Sequence, residues 1–200
     1  VHKLYGVEYS IIPDRIAAAT YLACAAASDG TVILKNADST HMGAMINTLK
    51  DMGCRIYTEK SKIILQPARV LKSVGTLKTM PYPGFPTDIQ SPFTALATQC
   101  RGTTVFVENI FENRYQHIEE LVRMGANIQT DGRVAVVIGK SNLTGAHVVA
   151  KELRGGAALV VAALAAEGTT EIDNVKFIDR GYESIERVLS ACGIDIKRKE

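Results

Sequence analysis

The sequence predicts an α/β fold in which three copies of one unit each place a buried helix at the centre, with small sheets around these helices. Three observations predict it. The pattern of the chain repeats three times, one helix in each unit is apolar nearly all round, and short runs of strand-like composition accompany it. Because an ordinary layered α/β protein keeps its helices outside its sheets, the apolar helices set this arrangement apart.

The repeat is seen in three segments that align with one another. They are DGTVILKNADSTHMGAMINTLKDMGCRI from Asp29, RGTTVFVENIFENRYQHIEELVRMGANI from Arg101 and EGTTEIDNVKFIDRGYESIERVLSACGIDI from Glu167. A helical segment precedes each of them, so the units comprise about residues 8–70, 82–140 and 147–200. We therefore expect a single domain, residues 1–200, made of three repeats.

The first helix of each unit is the apolar one. The three segments are IPDRIAAATYLACAAAS, FPTDIQSPFTALATQC and LRGGAALVVAALAAE. Apolar residues occupy nearly every side of these helices, which is the pattern of a helix buried on all sides. We expect the helices to begin at Asp14 or Arg15, at Thr87 or Asp88, and at Leu153 or Arg154.

The second helix of each unit is amphipathic and should lie on the surface. Apolar residues recur at helical spacing at Met42, Met45, Ile46, Leu49 and Met52, and at Tyr182, Ile185, Val188, Leu189 and Cys192. These helices should end at the glycines Gly53, Gly125 and Gly193. The strand-like runs are TVILKN, CRIYTEK, KIILQP, TVFVEN, ANIQTD, VAVVIG, TEIDNV and IDIKRK.

Charge and hydropathy exclude several classes of protein. The 23 Lys and Arg residues leave a formal charge of only +2 against the 21 Asp and Glu residues, which is not the footprint of a nucleic-acid or membrane-surface protein. The longest apolar run, residues 157–166, is shorter than the ~18 residues that cross a bilayer. Since the chain begins at Val1 without an initiator Met, we expect it to be a piece of a longer polypeptide.

The cysteines and histidines indicate no metal site. No C-x-x-C spacing occurs, and the pattern suits reduced, buried thiols in a cytoplasmic protein at Cys24, Cys54, Cys100 and Cys192. Metal-ligand spacing is also missing among the histidines, so we expect solvated or core-edge side chains at His2, His41, His117 and His147.

The starts of the three inner helices predict an anion site. If the helices pack roughly parallel around a three-fold axis, their N-termini converge on one face. Unpaired N–H groups and the helix dipoles then favour negative charge there. Gly155 and Gly156 have no side chains, so a ligand could approach that backbone closely.

Three arginines fall near the same ends of their elements. They are Arg114 in FENR, Arg154 in LRGG and Arg180 in FIDR. Because a guanidinium group is a planar fork for phosphate or carboxylate, the three would bind a multiply charged small molecule. The alternative is that each arginine merely pairs with a neighbouring carboxylate such as Glu112, Glu152 or Asp179.

Asp88 follows a stretch that three prolines stiffen. In PYPGFPTD, residues 81–88, the prolines fix φ and reduce the entropy lost when a loop is held in one geometry. A catalytic group needs such placement, so Asp88 could act as a general base beside the arginines. It could equally be an ordinary N-cap or first-turn residue, as Asp14 could be in the first unit. The spacing alone leaves both interpretations open.

Motifs along essentially all 200 residues resemble a known family. The motifs are PDRI, MPYPGFPTD, IFENR, RMGA, LRGGAALVVAALAAEGTT and IDRGYE. In this order and spacing they resemble the UDP-N-acetylglucosamine enolpyruvyl transferases, also called UDP-N-acetylglucosamine 1-carboxyvinyltransferases. The resemblance implies the inside-out α/β barrel of the enolpyruvyl transferases. It also implies that the chain is the catalytic domain in the C-terminal half of a two-domain enzyme.

The resemblance implies a reaction that needs no cofactor or metal ion. Enolpyruvate is transferred from phosphoenolpyruvate to the 3-hydroxyl of UDP-N-acetylglucosamine, and phosphate is released. This is the first committed step of peptidoglycan precursor synthesis in the cytoplasm, which serves cell wall biogenesis, cell shape, the cell cycle and cell division.

The resemblance also implies roles for five residues. Asp88 of FPTD contacts the sugar 3-hydroxyl and acts as the general base. Arg154 and Arg180 hold the phosphate and carboxylate of phosphoenolpyruvate. Arg114 belongs to the same active-site face, and Ile110 lines the nucleotide-sugar site.

The chain departs from the family in two respects. The family's general acid is a cysteine on a mobile loop of the other domain, and this chain lacks that loop. The first unit reads PDRIAAAT where members commonly have PDRIEAGT, which puts in doubt any role carried by that glutamate. We therefore expect the missing N-terminal domain to be the chain's partner, and the chain alone to show little or no turnover.

Two other functions remain open from the sequence. The related 5-enolpyruvylshikimate-3-phosphate synthases share the fold and the phosphoenolpyruvate chemistry, but PYPGFPTD favours the nucleotide-sugar enzymes. A free-standing, non-catalytic module that binds phosphorylated ligands is the alternative from another class.

Overall fold

The computed structural model describes residues 3–199 of the chain. Its helices are α1 (Arg15–Ala27), α2 (Gly43–Asp51), α3 (Thr87–Ala97), α4 (Ile118–Arg123), α5 (Leu153–Ala163), α6 (Lys176–Asp179) and α7 (Ile185–Ala191), with a 3₁₀ helix at Ser39–His41. Its strands are β1 (Val32–Lys35), β2 (Arg55–Glu59), β3 (Lys62–Gln66), β4 (Gly75–Lys78), β5 (Gly102–Val107), β6 (Asn127–Asp131), β7 (Val134–Gly139), β8 (His147–Val149) and β9 (Glu171–Asp173).

The strands form three sheets, which confirms the predicted mixture of helices and small sheets. The first is antiparallel in the order β1-β3-β2, with Ile56 opposite Leu65. In the second, ordered β4-β5-β7-β6, only β4 and β5 run parallel. The third is the parallel pair β8-β9. Within residues 3–199 each strand pairs only inside its own sheet, so barrel closure and the repeat boundaries stay predictions.

The inner helices α1, α3 and α5 pack against one another at the centre, as predicted. Every residue from Ile89 to Ala97 in α3 is buried, and so is every residue from Gly155 to Ala162 in α5. α1 is less enclosed, since Ala17, Ala18 and Tyr21 are only half-buried. The starts at Arg15, Thr87 and Leu153 agree with the sequence prediction.

The outer helices α2, α4 and α7 end at glycines, as predicted. Gly53, Gly125 and Gly193 have φ angles of +103°, +98° and +93°, in the left-handed region that suits glycine. Two residues of the predicted third outer helix lie elsewhere. Tyr182 is buried in the turn before α7, and Cys192 follows its end and is exposed.

All but one of the predicted strand-like runs contain a strand. The exception is IDIKRK, since residues 194–199 have no regular structure. β2 and β6 each pair with the strand that follows them, whereas no described strand follows IDIKRK. Its cations instead bind carboxylates, Arg198 at Asp179 and Lys199 at Glu171.

The sequence analysis missed β4 and β8. Both are short, and neither shows a clear alternation of apolar and polar residues. Each pairs in parallel with a strand that comes after an inner helix, β4 with β5 and β8 with β9. Their formation therefore depends on pairing with a distant segment rather than on local pattern. Among residues 3–199, no helix combines the length and apolar character that crossing a membrane requires.

Candidate active site

The three inner helices begin close together. Arg15, the first residue of α1, places its guanidinium carbon 5.1 Å from the ring centroid of Tyr82 in the segment before α3. Asp88, in the first turn of α3, contacts Arg154 in the first turn of α5. The predicted convergence of helix N-termini is thus present in the geometry.

Two of these N-termini are already occupied by carboxylates of the chain. Asp14 accepts hydrogen bonds from the N–H groups of Ile16 and Ala17 at the start of α1. Glu152 accepts them from Arg154 and Gly155 at the start of α5. Of the three inner helices, α3 alone has no side-chain cap among residues 3–199. The expectation of unpaired N–H groups is therefore wrong for the capped starts of α1 and α5, and an anion site shared by the three helix starts stays a prediction. The side chains of Arg114 and Arg154 add positive charge to this face.

Asp88 lies between two arginines from different units. Its Oδ1 accepts a hydrogen bond from Arg114 Nη2 at 2.9 Å, and its Oδ2 accepts one from Arg154 Nη2 at 3.2 Å. The Asp88 side chain is 41% exposed, whereas those of Arg114 and Arg154 are 15% and 13% exposed. The cluster therefore offers one reachable carboxylate flanked by two largely enclosed cations.

The Arg114 side chain is fixed by its own loop and by the start of α3. Its Nη2 also lies 3.5 Å from the carbonyl oxygen of Thr87, and its guanidinium carbon lies 5.1 Å from the Phe111 ring centroid. Within residues 3–199, its buried Nε has no hydrogen-bond partner. Part of the five-donor guanidinium of Arg114 is therefore without a partner in the described part of the chain.

The Arg154 side chain is held by Tyr182, which the sequence analysis missed. Arg154 Nη1 donates to the Tyr182 hydroxyl at 3.4 Å, and that hydroxyl lies 2.8 Å from Thr20 Oγ1 in α1. Burial raises the pKa of Tyr182, so the hydroxyl stays protonated. The chain of contacts links all three inner helices. The motif IDRGYE, in which Tyr182 stands two residues after Arg180, was the available signal.

Glu108 is the second residue that sequence reasoning missed. It follows β5 directly, is 1% exposed, and its carboxylate accepts four hydrogen bonds. The donors are the hydroxyls of Thr79 and Thr87 and the backbone N–H groups of Ile110 and Phe111. It therefore ties the segment before Asp88 to the loop that leads to Arg114.

Ile110 and Arg180 lie on the surface near this cluster. The Ile110 side chain is exposed beside Phe111 in the loop that Glu108 holds. Arg180 is exposed at the end of α6 and makes no ion pair within residues 3–199. Its neighbour Gly181 packs against Leu153 and lies near Arg154, which brings the Arg180 backbone to the site.

The alternative pairings proposed for the arginines are not the ones formed. Glu112 contacts Arg133 at 3.6 Å, Glu152 caps α5, and Asp179 binds Arg198. Arg114 and Arg154 both bind Asp88 instead. The two arginines are therefore directed to one shared carboxylate rather than to their chain neighbours.

Gly155 and Gly156 do not expose the backbone to a ligand, so that prediction is wrong. Both are buried. A Cβ at Gly155 would lie 2.9 Å from His117 Cβ, and one at Gly156 would lie 2.6 Å from Ile178 in α6. The missing side chains allow protein segments, rather than a ligand, to approach α5.

Two predictions about isolated residues also need correction. His117 is fully buried, and this burial lowers its pKa to about 3. Cys192 is exposed, unlike the buried thiols Cys24, Cys54 and Cys100. Burial raises the pKa of both Cys24 and Cys100 to about 12, which suits unreactive thiols. His2 lies outside the described residues.

The sequence also matches known proteins. Residues 1–189 match the family model described as EPSP synthase (3-phosphoshikimate 1-carboxyvinyltransferase). A UDP-N-acetylglucosamine 1-carboxyvinyltransferase from Koribacter versatilis is 50% identical over 198 residues, 99% of this chain and 46% of that protein. One from Desulfofundulus thermocisternus is 48% identical over 205 residues, 99% of this chain and 84% of that protein.

Solved structures show the same fold. The enolpyruvyl transferase NikO from Streptomyces tendae matches with a TM-score of 0.85 and 26% identity, over 94% of this chain and 45% of that chain. EPSP synthase from Acinetobacter baumannii matches with a TM-score of 0.73 and 18% identity, over 96% of this chain and 45% of that chain.

The matches cover different shares of the compared proteins' lengths. The chain spans about half the length of the Koribacter relative and of both solved structures. The Desulfofundulus relative is matched over most of its own length, and the family model over nearly the whole of this chain. The chain therefore belongs to the EPSP synthase family and, within it, to the UDP-N-acetylglucosamine 1-carboxyvinyltransferases.

Proposed function

We propose that this chain supplies half of the active site of an enzyme that transfers enolpyruvate from phosphoenolpyruvate to the 3-hydroxyl of UDP-N-acetylglucosamine. The observation that carries the proposal is Asp88, a reachable carboxylate whose two oxygens are each bound by an enclosed arginine, Arg114 and Arg154. The other half would come from the N-terminal domain of the same enzyme, which is the proposed partner of this chain.

The chemistry assigns Asp88 to the sugar hydroxyl. As general base, Asp88 takes the proton of the 3-hydroxyl, and the hydroxyl oxygen forms a bond to C2 of phosphoenolpyruvate while C3 gains a proton. Elimination then removes a proton from C3 and breaks the bond between C2 and the phosphate oxygen. This chain holds no proposed donor for the C3 proton, so the proposal assigns that group to the N-terminal domain.

The proposal assigns the arginines to the binding of phosphoenolpyruvate. Phosphoenolpyruvate carries a phosphate and a carboxylate, and fixed guanidinium groups stabilise the charge on both through the addition and the elimination. Arg154 would bind it together with Arg180, whose backbone lies beside Arg154. Arg114 supports the same face, and the exposed Ile110 side chain would contact the nucleotide-sugar.

The names of the relatives favour this reaction over the alternatives. Proteins 48–50% identical to the chain are named for UDP-N-acetylglucosamine, whereas the likeness to a solved EPSP synthase is 18% and reflects the fold alone. The proposed setting follows from the reaction: the cytoplasmic synthesis of peptidoglycan precursors, and through it cell wall biogenesis, cell shape and cell division.

A calorimetric titration tests the proposal on the 200-residue chain. UDP-N-acetylglucosamine and then phosphoenolpyruvate are titrated into the wild-type chain and into Asp88→Asn and Arg180→Ala. We expect Asp88→Asn to weaken binding of the nucleotide-sugar and Arg180→Ala to weaken binding of phosphoenolpyruvate. Arg133→Ala is the matched control, because Arg133 is an exposed arginine that pairs with Glu112 away from Asp88.

Turnover provides the second arm of that experiment. We expect the chain alone to release no phosphate from the two substrates, and the addition of the missing domain to restore release. Tight binding of both ligands that neither substitution changes would contradict the assigned roles. Release of phosphate by the chain alone would contradict the division of the active site between two domains.

A further inference from the structure

Glu108 joins three segments that meet at the site. Its Oε1 accepts hydrogen bonds from Thr79 Oγ1 at 2.9 Å, from Ile110 N at 2.7 Å and from Phe111 N at 3.0 Å. Its Oε2 accepts one from Thr87 Oγ1 at 2.9 Å. All four partners are donors, which is the pattern that an ionised carboxylate satisfies.

Because Glu108 is buried, its carboxylate depends on these hydrogen bonds. Glu108 is 1% exposed, and within residues 3–199 it has no cationic partner. A buried carboxylate without a counter-charge is unfavourable unless hydrogen bonds replace its water. The buried Glu108 carboxylate is therefore stable only while the segments that carry Thr79, Thr87, Ile110 and Phe111 keep their donors directed at it. Its hydrogen bonds restrain the positions of those segments in turn.

The restrained groups are those that the proposed function uses. Thr87 precedes Asp88 in the chain, so the bond to Oε2 fixes the start of α3. The N–H groups on Oε1 belong to Ile110, the proposed nucleotide-sugar contact, and to Phe111, whose ring lies against Arg114. One carboxylate thus sets the relative positions of the base, the sugar-contacting loop and one arginine.

Resting on the proposed function, we infer that Glu108 is a positioning residue that sets the spacing between Asp88 and the Ile110 side chain, and so the fit of the nucleotide-sugar between them. It does not touch the substrate. Substitution of Glu108 should therefore change the affinity for UDP-N-acetylglucosamine by moving the start of α3 and the loop that carries Ile110.

Three variants separate this role from a general loss of stability. Glu108→Ala removes all four acceptors. Glu108→Gln keeps an amide oxygen for the Oε1 donors, and its NH₂ group can donate to the Thr87 hydroxyl. Thr87→Val removes only the bond to Oε2. Leu65→Ala is the stability control, because Leu65 is buried in β3 of the first sheet, which contains none of the partners of Glu108.

Hydrogen exchange of the Ile110 and Phe111 amides, followed by NMR on the ligand-free chain, is the first measurement. In Glu108→Ala both amides should exchange at least about tenfold faster than in wild type, because each loses a bond to a charged acceptor. Glu108→Gln should restore slow exchange. In Thr87→Val the two amides should stay as in wild type. Wild-type exchange in Glu108→Ala would overturn the inference.

Affinity for UDP-N-acetylglucosamine is the second measurement. We expect Glu108→Ala to raise the Kd about tenfold, Glu108→Gln to raise it less than about threefold, and Thr87→Val to fall between them. Leu65→Ala should bind as wild type does despite its lower melting temperature. Equal Kd values for Glu108→Ala and Leu65→Ala would overturn the inference.

The two measurements test the proposed function and the role of Glu108 separately. A wild-type chain that binds no UDP-N-acetylglucosamine counts against the preformed half-site of the proposed function. The exchange of the Ile110 and Phe111 amides still decides whether Glu108 holds the loop. If Glu108→Ala does not fold, the affinity comparison still decides: Thr87→Val should raise the Kd above that of Glu108→Gln, and a wild-type Kd in Thr87→Val would overturn the inference.

Discussion

The starts of α1 and α5 are built alike but have different neighbours. Each is capped by a carboxylate of its own segment, Asp14 or Glu152. Each also presents an arginine to a tyrosine ring, with Arg15 over Tyr82 at 5.1 Å and Arg154 over Tyr182 at 5.8 Å. The two helix starts therefore share a carboxylate cap and an arginine–tyrosine contact, although Tyr82 precedes α3 whereas Tyr182 follows α6.

The surroundings of the two arginines decide what each can do. Arg154 binds Asp88 and a buried tyrosine, whereas Tyr82 is an exposed ring and Arg15 has no carboxylate within ion-pair distance in the described part of the chain. An anion at Arg154 would lie near the carboxylate of Asp88, the proposed base, and its second partner Arg114, whereas one at Arg15 would lie near neither. A repeated arginine is thus not sufficient for a site without the groups that surround it.

The largest expected effect is a difference in kcat between a substitution at Asp88 and the same substitution at Asp14. In the proposed two-domain enzyme, we expect Asp88→Asn to lower kcat by about a hundredfold or more, since an amide cannot accept the hydroxyl proton. Asp14→Asn should leave kcat unchanged, because Asn caps a helix about as well as Asp. Phosphate release under substrate saturation measures both. A fall in kcat for Asp14→Asn equal to that for Asp88→Asn would remove the distinction between the two helix starts.

The next effect separates the two arginines. Arg154→Ala should weaken binding of phosphoenolpyruvate by about tenfold or more, the loss expected for a charged hydrogen bond. Arg15→Ala should change the Kd by less than about twofold. Calorimetry with phosphoenolpyruvate measures both, with melting temperature as a check on folding. Comparable losses would mean that α1 contributes to the anion site as α5 does.

A pH titration of stability separates the histidines beside the two helix starts. His117 packs against Gly155 of α5 with its pKa lowered to about 3 by burial, while the partly exposed His41 contacts the Tyr82 hydroxyl. Above pH ~6.5 His117 is neutral whether folded or unfolded, and its contribution is complete. Below that pH only the unfolded chain takes the proton, so stability falls by about 1.4 kcal/mol per pH unit until pH approaches 3.

Substitution of each histidine tests whether His117 causes this fall in stability at low pH. Urea unfolding of His117→Leu between pH 7 and pH 5 should show a much shallower fall in the free energy of unfolding than wild type. His41→Leu should keep the wild-type slope. A wild-type slope in His117→Leu would show that other groups cause the acid sensitivity.

The smallest effect separates the two tyrosines. Tyr182→Phe removes a hydroxyl that lies between Thr20 and Arg154, so we expect the free energy of unfolding to fall by about 1 kcal/mol and phosphoenolpyruvate binding to weaken a few-fold. Tyr82→Phe, at an exposed ring, should change stability by less than about 0.5 kcal/mol. Reversal of this order would mean that the buried hydroxyl does not support Arg154.

The sequence was informative where a local pattern determines the structure. Apolar residues on every side predicted the central helices, and glycine at Gly53, Gly125 and Gly193 predicted the ends of the outer helices. The repeat predicted that Arg114, Arg154 and Arg180 lie near one face. The structure brings Arg114 and Arg154 to Asp88, whereas the exposed Arg180 side chain makes no ion pair within residues 3–199.

The sequence failed where distant segments decide the structure. β4 and β8 are short strands that form by pairing with strands beyond an inner helix, so their own residues gave no signal. The role of Gly155 depended on His117, which packs against it from the position just before α4. Glu108 showed only as a charged residue at a strand end, and its four donors come from three segments.

The most direct test of the account is an NMR titration of phosphoenolpyruvate into the 200-residue chain, observed through the arginine side-chain N–H signals. We predict that the signals of Arg114 and Arg154 shift together along one binding curve, while the Arg15 signal stays in place. A shift of Arg15 along the same curve, or saturating ligand without any shift of Arg114 and Arg154, would contradict the claim that the Asp88 cluster is the anion site.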